Sequence, residues 1–240
     1  MDSAAPQPAP FARLVRLRMP LLAAAFLALL ALTLLALLWA PTLSLGFSAP
    51  VAQRIFYLHI GAAVASYIAF TVTFAASIAL LRGRTGSTDR LAGEAALLGL
   101  TFAGITIAAG SLWGWAEWGV AWRLEDERLM TYLVLFLVNI GYLALRARLP
   151  PGPARDRTAA LYAIAAFALV PFSYFSIYIW RTLHPMVISP GGQGIGAQGA
   201  LVLLVSIAAY TLLFLAFLAW RMELAALGDR VARVQKGVDA

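Results

Sequence analysis

The chain has 240 residues, of which 62% are hydrophobic and 12% charged, with a mean hydropathy of +0.84 and a formal charge of +7. Such an apolar excess excludes an ordinary soluble domain, and no stretch of mixed composition remains for a second, soluble unit. Basic balance alone suggests nucleic acid, but basic loops beside anionic lipid account for it without that partner.

Six apolar runs approach the roughly 20 residues that cross a hydrocarbon core about 30 Å thick. They cover residues 21–40, 55–81, 91–112, 129–145, 159–180 and 199–220. The alternation of a membrane barrel is absent, and helices satisfy their own backbone groups in lipid, so the pattern predicts an all-α integral membrane protein. Residues 1–240 read as one six-helix domain. The first run follows Arg13, Arg16 and Arg18 as a signal peptide would, but its apolar core is too long for one and predicts a retained helix.

Lys and Arg fall unevenly on alternate ends of these runs. Fourteen of the eighteen lie in the N-terminus, the second and fourth connections and the tail; Arg54, Arg123, Arg128 and Arg181 lie at the other side. The positive-inside rule then places both termini in the cytoplasm. Both histidines belong to the outer face: His59 just inside the second run, in FYLHI, and His184 after the fifth, in WRTLHP, where Pro185 predicts that the helix has stopped. Six of the seven tryptophans, Trp39, Trp113, Trp115, Trp118, Trp122 and Trp180, share that boundary. Residues 113–128 begin with WGWAEWGVAW, and the i, i+3, i+7 spacing of Trp115, Trp118 and Trp122 predicts one face of a helix lying in the interface.

Histidine inside a membrane helix is costly and points to function. Two imidazoles on one face suit a metal: together they can fill both axial positions of a haem iron, with indoles against the macrocycle and Arg54, Arg123, Arg128 or Arg181 at the propionates. Zinc would need to recruit Glu117, Glu125, Asp126 or Glu127. With no cysteine, CxxCH attachment is excluded, so any haem is held by coordination and packing. No Walker motif occurs. GIGAQG at 194–199 satisfies GxGxxG but lacks a preceding strand, and reads as a flexible connection. Asn139, Tyr142, Ser173, Tyr174, Ser176 and Tyr178 are expected to bond between helices; Pro171 is expected to kink the fifth helix.

AQRIFYLHI, WGWAEWGVAW and SIYIWRTLHP resemble the corresponding segments of the CcmC (haem exporter protein C) family of cytochrome c maturation, over nearly the whole chain. Against the family pattern WGxxWxWDxRLT, Trp118, Gly119 and Trp122 align, Leu124 replaces a tryptophan, and Asp126 and Arg128 align after one inserted residue. The resemblance implies non-covalent haem b with His59 and His184 as iron ligands and Trp115, Trp118 and Trp122 as contacts; Trp113 and Arg128 join them, with Arg123, Arg181 or Arg54 at the propionates. It further implies a handling protein and not an enzyme, presenting haem at the outer face to the chaperone CcmE beside the ABC transporter subunits CcmA and CcmB and the small subunit CcmD, in a lipid membrane. The rival readings are a bis-histidine cytochrome b-like electron-transfer subunit and a transporter or scaffold subunit without cofactor.

Overall fold

The structure, a computed structural model, describes residues 12–42, 47–83, 87–180, 183–184 and 195–238, and these contain helices and no strand. Six helices among the described residues are long and apolar enough to cross a membrane, which makes this a multi-pass membrane protein. A short helix, α1 (Ala12–Arg16), precedes the first span, which is built from α2 (Arg18–Leu34) and a π-helical turn, Leu35–Trp39. The amide of Ala40 closes that turn on the carbonyl of Leu35 at 2.7 Å. Ala40 is then extended, as the following Pro41 requires.

A 3-10 turn, Ala52–Arg54, leads into α3 (Ile55–Leu81), which is followed by α4 (Ser87–Trp118) and α5 (Glu127–Arg148). The fifth span is broken into α6 (Pro153–Ala166) and α7 (Leu169–Ile179). Pro171 explains the break: it has no N–H for the carbonyl of Phe167, which instead accepts from Val170 at 2.9 Å in a tighter turn. The expected kink is therefore present, one turn before the proline. The last helix, α8 (Gly196–Val238), is unbroken. Its first turn contains residues 196–199, so the expected flexible connection is, in that part, helical.

α4, α5 and α8 extend past their apolar runs at both ends, because hydropathy marks the hydrocarbon and not the end of backbone pairing, whereas α3 coincides with its run. α3 lies centrally and packs along α4, α8 and α6. Its buried face is small-sided, with Ala62, Ala65, Ser66 and Ala69 fully buried, which permits close helix approach where no hydrophobic force drives association. The largest core gathers these alanines with Leu32, Phe102, Val202 and Phe214 from α2, α4 and α8. A second cluster joins Phe70, Tyr132, Leu135 and Val170 beneath the cavity described below.

The polar residues of the spans bond less across the bundle than the sequence suggested. Asn139 donates to Leu135 of its own helix at 2.8 Å, and Ser176 to Ser173 at 2.8 Å. Tyr142 bonds Arg146, also on α5. Ser173 does reach across, meeting the Tyr67 hydroxyl at 3.0 Å. Tyr174 and Tyr178 are half exposed on the outer surface of α7.

Candidate functional site

The chain alternates direction, so the start of α3, the end of α4, the start of α5 and the segment after α7 all meet at one end of the bundle. His59 stands on the second turn of α3. Its Nδ1 lies 2.9 Å from the carbonyl oxygen of Thr106 on α4; a carbonyl only accepts, so Nδ1 carries the proton and Nε2 keeps its lone pair. Outer-sphere bonding of this kind orients and tunes a metal-binding imidazole.

Gly110 makes this approach possible. It sits one turn beyond Thr106, and a Cβ there would lie 3.0 Å from Cε1 and 3.2 Å from Nδ1 of His59. A larger residue would press on the ring and require it to shift by a few tenths of an ångström or more. Nothing in the sequence distinguished Gly110 from the other helical glycines; only the depth of His59 on the neighbouring helix does so.

His184 comes from the loop after α7, as Pro185, outside the described residues, led us to expect. The two imidazole centroids are 6.0 Å apart with a 36° angle between planes. Two features hold this second ring. Trp113 lies 6.2 Å from it, centroid to centroid. Asp126, 4% exposed, caps α5 by accepting from the Leu129 amide at 3.1 Å with one carboxylate oxygen, while the other accepts from the amide of Leu183 at 2.9 Å. One carboxylate thus ties the histidine loop to a helix start.

The tryptophans do not form the single helical face expected of them. α4 continues straight through Trp113 and Trp115 and stops at Trp118, where Gly119 takes φ +73°. That left-handed conformation suits glycine and ends the helix, so Trp122 lies in the irregular loop that follows and the i+7 relation to Trp115 is lost. Trp113, Trp118 and Trp122 line one cavity with both histidines, and Trp113 and Trp118 meet edge to face at 4.9 Å. Trp115 is 65% exposed and off the cavity wall. The interfacial helix of the sequence reading is instead the last turns of α4 followed by a loop.

Trp113 is fixed by a relay. Its indole N–H donates to Gln53 at 3.1 Å. Glu117 accepts from the Gln53 side chain at 3.4 Å and from the amides of Ser48 and Ala49 at 2.8 and 3.0 Å. Glu117 and Asp126 are thereby committed to holding loops, and among the described residues no three His, Cys, Asp or Glu side chains converge as a zinc site needs.

The cavity encloses about 740 Å³, part of it open to the surroundings, and its wall includes Phe56, Thr106, Gly110, Leu129 and Tyr132 as well as the residues above. Tyr132 bonds Ser66 at 2.8 Å at its inner side. Of the four outer arginines, Arg128 lines the cavity and donates to the Ser173 carbonyl of α7. Arg54 and Arg123 are not on the wall. Arg181 lies outside the described residues. The Nε atoms of Arg54 and Arg123 and the indole nitrogen of Trp122 are buried donors with no hydrogen-bond acceptor among the described residues; of the three residues only Trp122 is on the cavity wall, where an unsatisfied donor favours an acceptor on the guest.

A family model described as Heme exporter protein C matches residues 2–236. The Heme exporter protein C of Bradyrhizobium diazoefficiens is 32% identical over 228 residues, covering 94% of this chain and 83% of the relative. That of Paracoccus denitrificans is 32% identical over 174 residues, 70% of each chain. That of Escherichia coli K12 is 29% identical over 131 residues, 55% of this chain and 53% of its own. The match runs through all six spans and every segment that builds the cavity, and the chain belongs to the Heme exporter protein C family.

Proposed function

We propose that the protein holds haem non-covalently at the histidine end, with His59 and His184 as axial ligands, and passes it on during cytochrome c maturation. Membership of the family implies haem handling in that process, and its name fits handling and transport better than catalysis. The observation that carries the ligand assignment is the 6.0 Å between imidazole centroids. Imidazole–metal bonds of about 2 Å put two trans centroids roughly 6 Å apart. Rings on one axis are free to differ in twist, so the 36° between planes is compatible.

The donor set fits haem in its other parts also. Trp113, Trp118 and Trp122 offer flat apolar surface, and Arg128 with the orphaned indole donor of Trp122 offers a cation and an N–H group for propionates, whereas Arg54 and Arg123 are off the wall. Trp115, exposed and off the wall, is left out of this set. Haem supplies the iron that the imidazoles grip; the chain's own part is to present one lone pair from each ring, exclude water with indoles and balance the carboxylates. Ligand identity and burial set how strongly each oxidation state is held. The preponderance of Lys and Arg at the opposite end supports an inner-membrane protein with the histidines at the periplasmic face. Handover to CcmE, alongside CcmA, CcmB and CcmD, belongs to the same proposal.

The test is the visible spectrum of the purified full chain after addition of haemin and reduction. A low-spin, two-imidazole spectrum at one haem per chain is expected. A chain that takes up no haem overturns the proposal; reversible quinone-linked redox turnover without haem transfer to an acceptor would favour the cytochrome b-like alternative.

Two variants probe the supporting contacts. Gly110→Ala is expected to weaken haem binding about tenfold, within the range for outer-sphere changes, with helix content unaltered by circular dichroism. Asp126→Ala is expected to cost a similar factor by freeing the His184 loop, plus about 1 kcal/mol of stability from the lost cap. Asp126→Asn, which keeps one acceptor oxygen, should lie between Asp126→Ala and wild type in a haemin titration.

A further inference from the structure

At the end opposite the histidines, the start of α4, the end of α5, the start of α6 and the middle of α8 surround a second cleft. It encloses about 920 Å³, part of it open. Four arginines on its wall, Arg90, Arg146, Arg155 and Arg221, face two carboxylates, Asp89 and Glu94. Asp156 adds a third through its 2.7 Å bond to Arg155, which still leaves the cluster positive.

The pairs differ in what they leave available. Arg146 grips both oxygens of Asp89 at 2.6 and 2.8 Å, and the two side chains are 15% and 10% exposed. That pair is a mostly buried clamp between α4 and α5 at the wall of the cleft. Arg221 is 42% exposed and holds Glu94 through Nε alone, at 2.6 Å. Among the described residues its two terminal amino groups meet no acceptor, which leaves them for a guest. A guanidinium offers a phosphate two parallel donors at once.

Depth and lining narrow the guest. Trp220, beside Arg221, is 46% exposed, and an exposed indole at a span's end sits at headgroup level. Leu97 and Leu143 line the cleft one turn deeper than Glu94 and Arg146, so a charged mouth opens over an apolar strip. The wall carries no His, Cys, Met or aromatic side chain, and hence neither an iron ligand nor a ring to stack on a macrocycle.

We propose that this cleft seats the phosphate of an anionic phospholipid, with the terminal amino groups of Arg221 on the phosphate and acyl chain along Leu97 and Leu143. Basic pockets between spans at the cytoplasmic leaflet have this chemistry available to them. The site is independent of the haem assignment, since no residue is shared.

The experiment is a native mass spectrometry titration of the delipidated full chain with phosphatidylglycerol, phosphatidylcholine and inorganic phosphate. Wild type is expected to retain phosphatidylglycerol preferentially. Arg221→Gln should weaken it about tenfold, as for loss of a charged hydrogen bond. Glu94→Gln, which releases the guanidinium, should strengthen it several-fold. Because the two variants move in opposite directions, general misfolding cannot imitate the result, and unchanged haemin uptake by both serves as the folding control. Equal affinities across the three proteins would mark ordinary surrounding lipid and overturn the proposal. Inorganic phosphate binding as tightly as phosphatidylglycerol, or phosphatidylcholine doing so, would overturn it equally.

Discussion

Replacing His59 by alanine is expected to lower haem affinity on the order of 100-fold or more, because outer-sphere changes alone cost 10–100-fold at metal sites and this change removes the ligand itself. The ring leaves a gap beside Gly110 and below the Thr106 carbonyl, its partner at 2.9 Å. Free imidazole added to His59→Ala should enter that gap and restore the low-spin spectrum, which a merely structural histidine would not show. His184→Ala should lose a comparable factor, with weaker rescue, since its loop is held by the 2.9 Å bond from Leu183 to Asp126 and not by a helix. Haemin titration of the single and double variants reads all three. Wild-type spectra and haem content in the double variant would remove both histidines from the site.

The largest loss of stability is expected from Asp89→Ala. This carboxylate, 10% exposed, receives both amino groups of Arg146 and one from Arg155, so its removal leaves two guanidinium groups facing each other where helices meet. Breaking a buried pair from one side costs about 3–5 kcal/mol, whereas replacing both partners by apolar groups of similar volume is often neutral. Asp89→Ala is therefore expected to unfold well below wild type in a thermal melt in detergent. The double variant Asp89→Leu, Arg146→Met should recover much of the difference. A single variant that melts with wild type would show that water screens the clamp and that α4 and α5 are held by packing alone.

The membrane fold was open to reading because bilayer thickness imposes a length on every span, and that length survives without knowledge of any contact. The same holds for the histidines: two costly residues assigned by span count to one end came together in three dimensions. The tryptophan segment misled because helical spacing was projected across Gly119, whose φ of +73° ends the helix; the glycine itself was the visible warning. Gly110 and Thr106 escaped notice since their roles depend on which residue of α3 lies opposite, and helix register leaves no mark in either segment alone. Asp126 was visible as a zinc candidate and as an aligned position of the family pattern, with no structural role attached. Its actual work, capping α5 and tying down Leu183, joins residues 57 positions apart, a distance over which hydropathy carries no information.

The uninterrupted course of α8 has a consequence for the molecule's reach. From Gly196 to Trp220 the helix rises about 36 Å at 1.5 Å per residue, which already consumes the hydrocarbon layer. The turns after Trp220, up to Val238, continue for about another 27 Å. Their first turns stay docked on the bundle, with Met222 buried, Glu223 paired with Arg18 at 2.8 Å and Ala225 on the wall of the second cleft. One continuous helix therefore joins the histidine end of the bundle to the second cleft and the turns beyond it, with no hinge between the residues that pack on α3 and those that pair with Arg18 and Glu94.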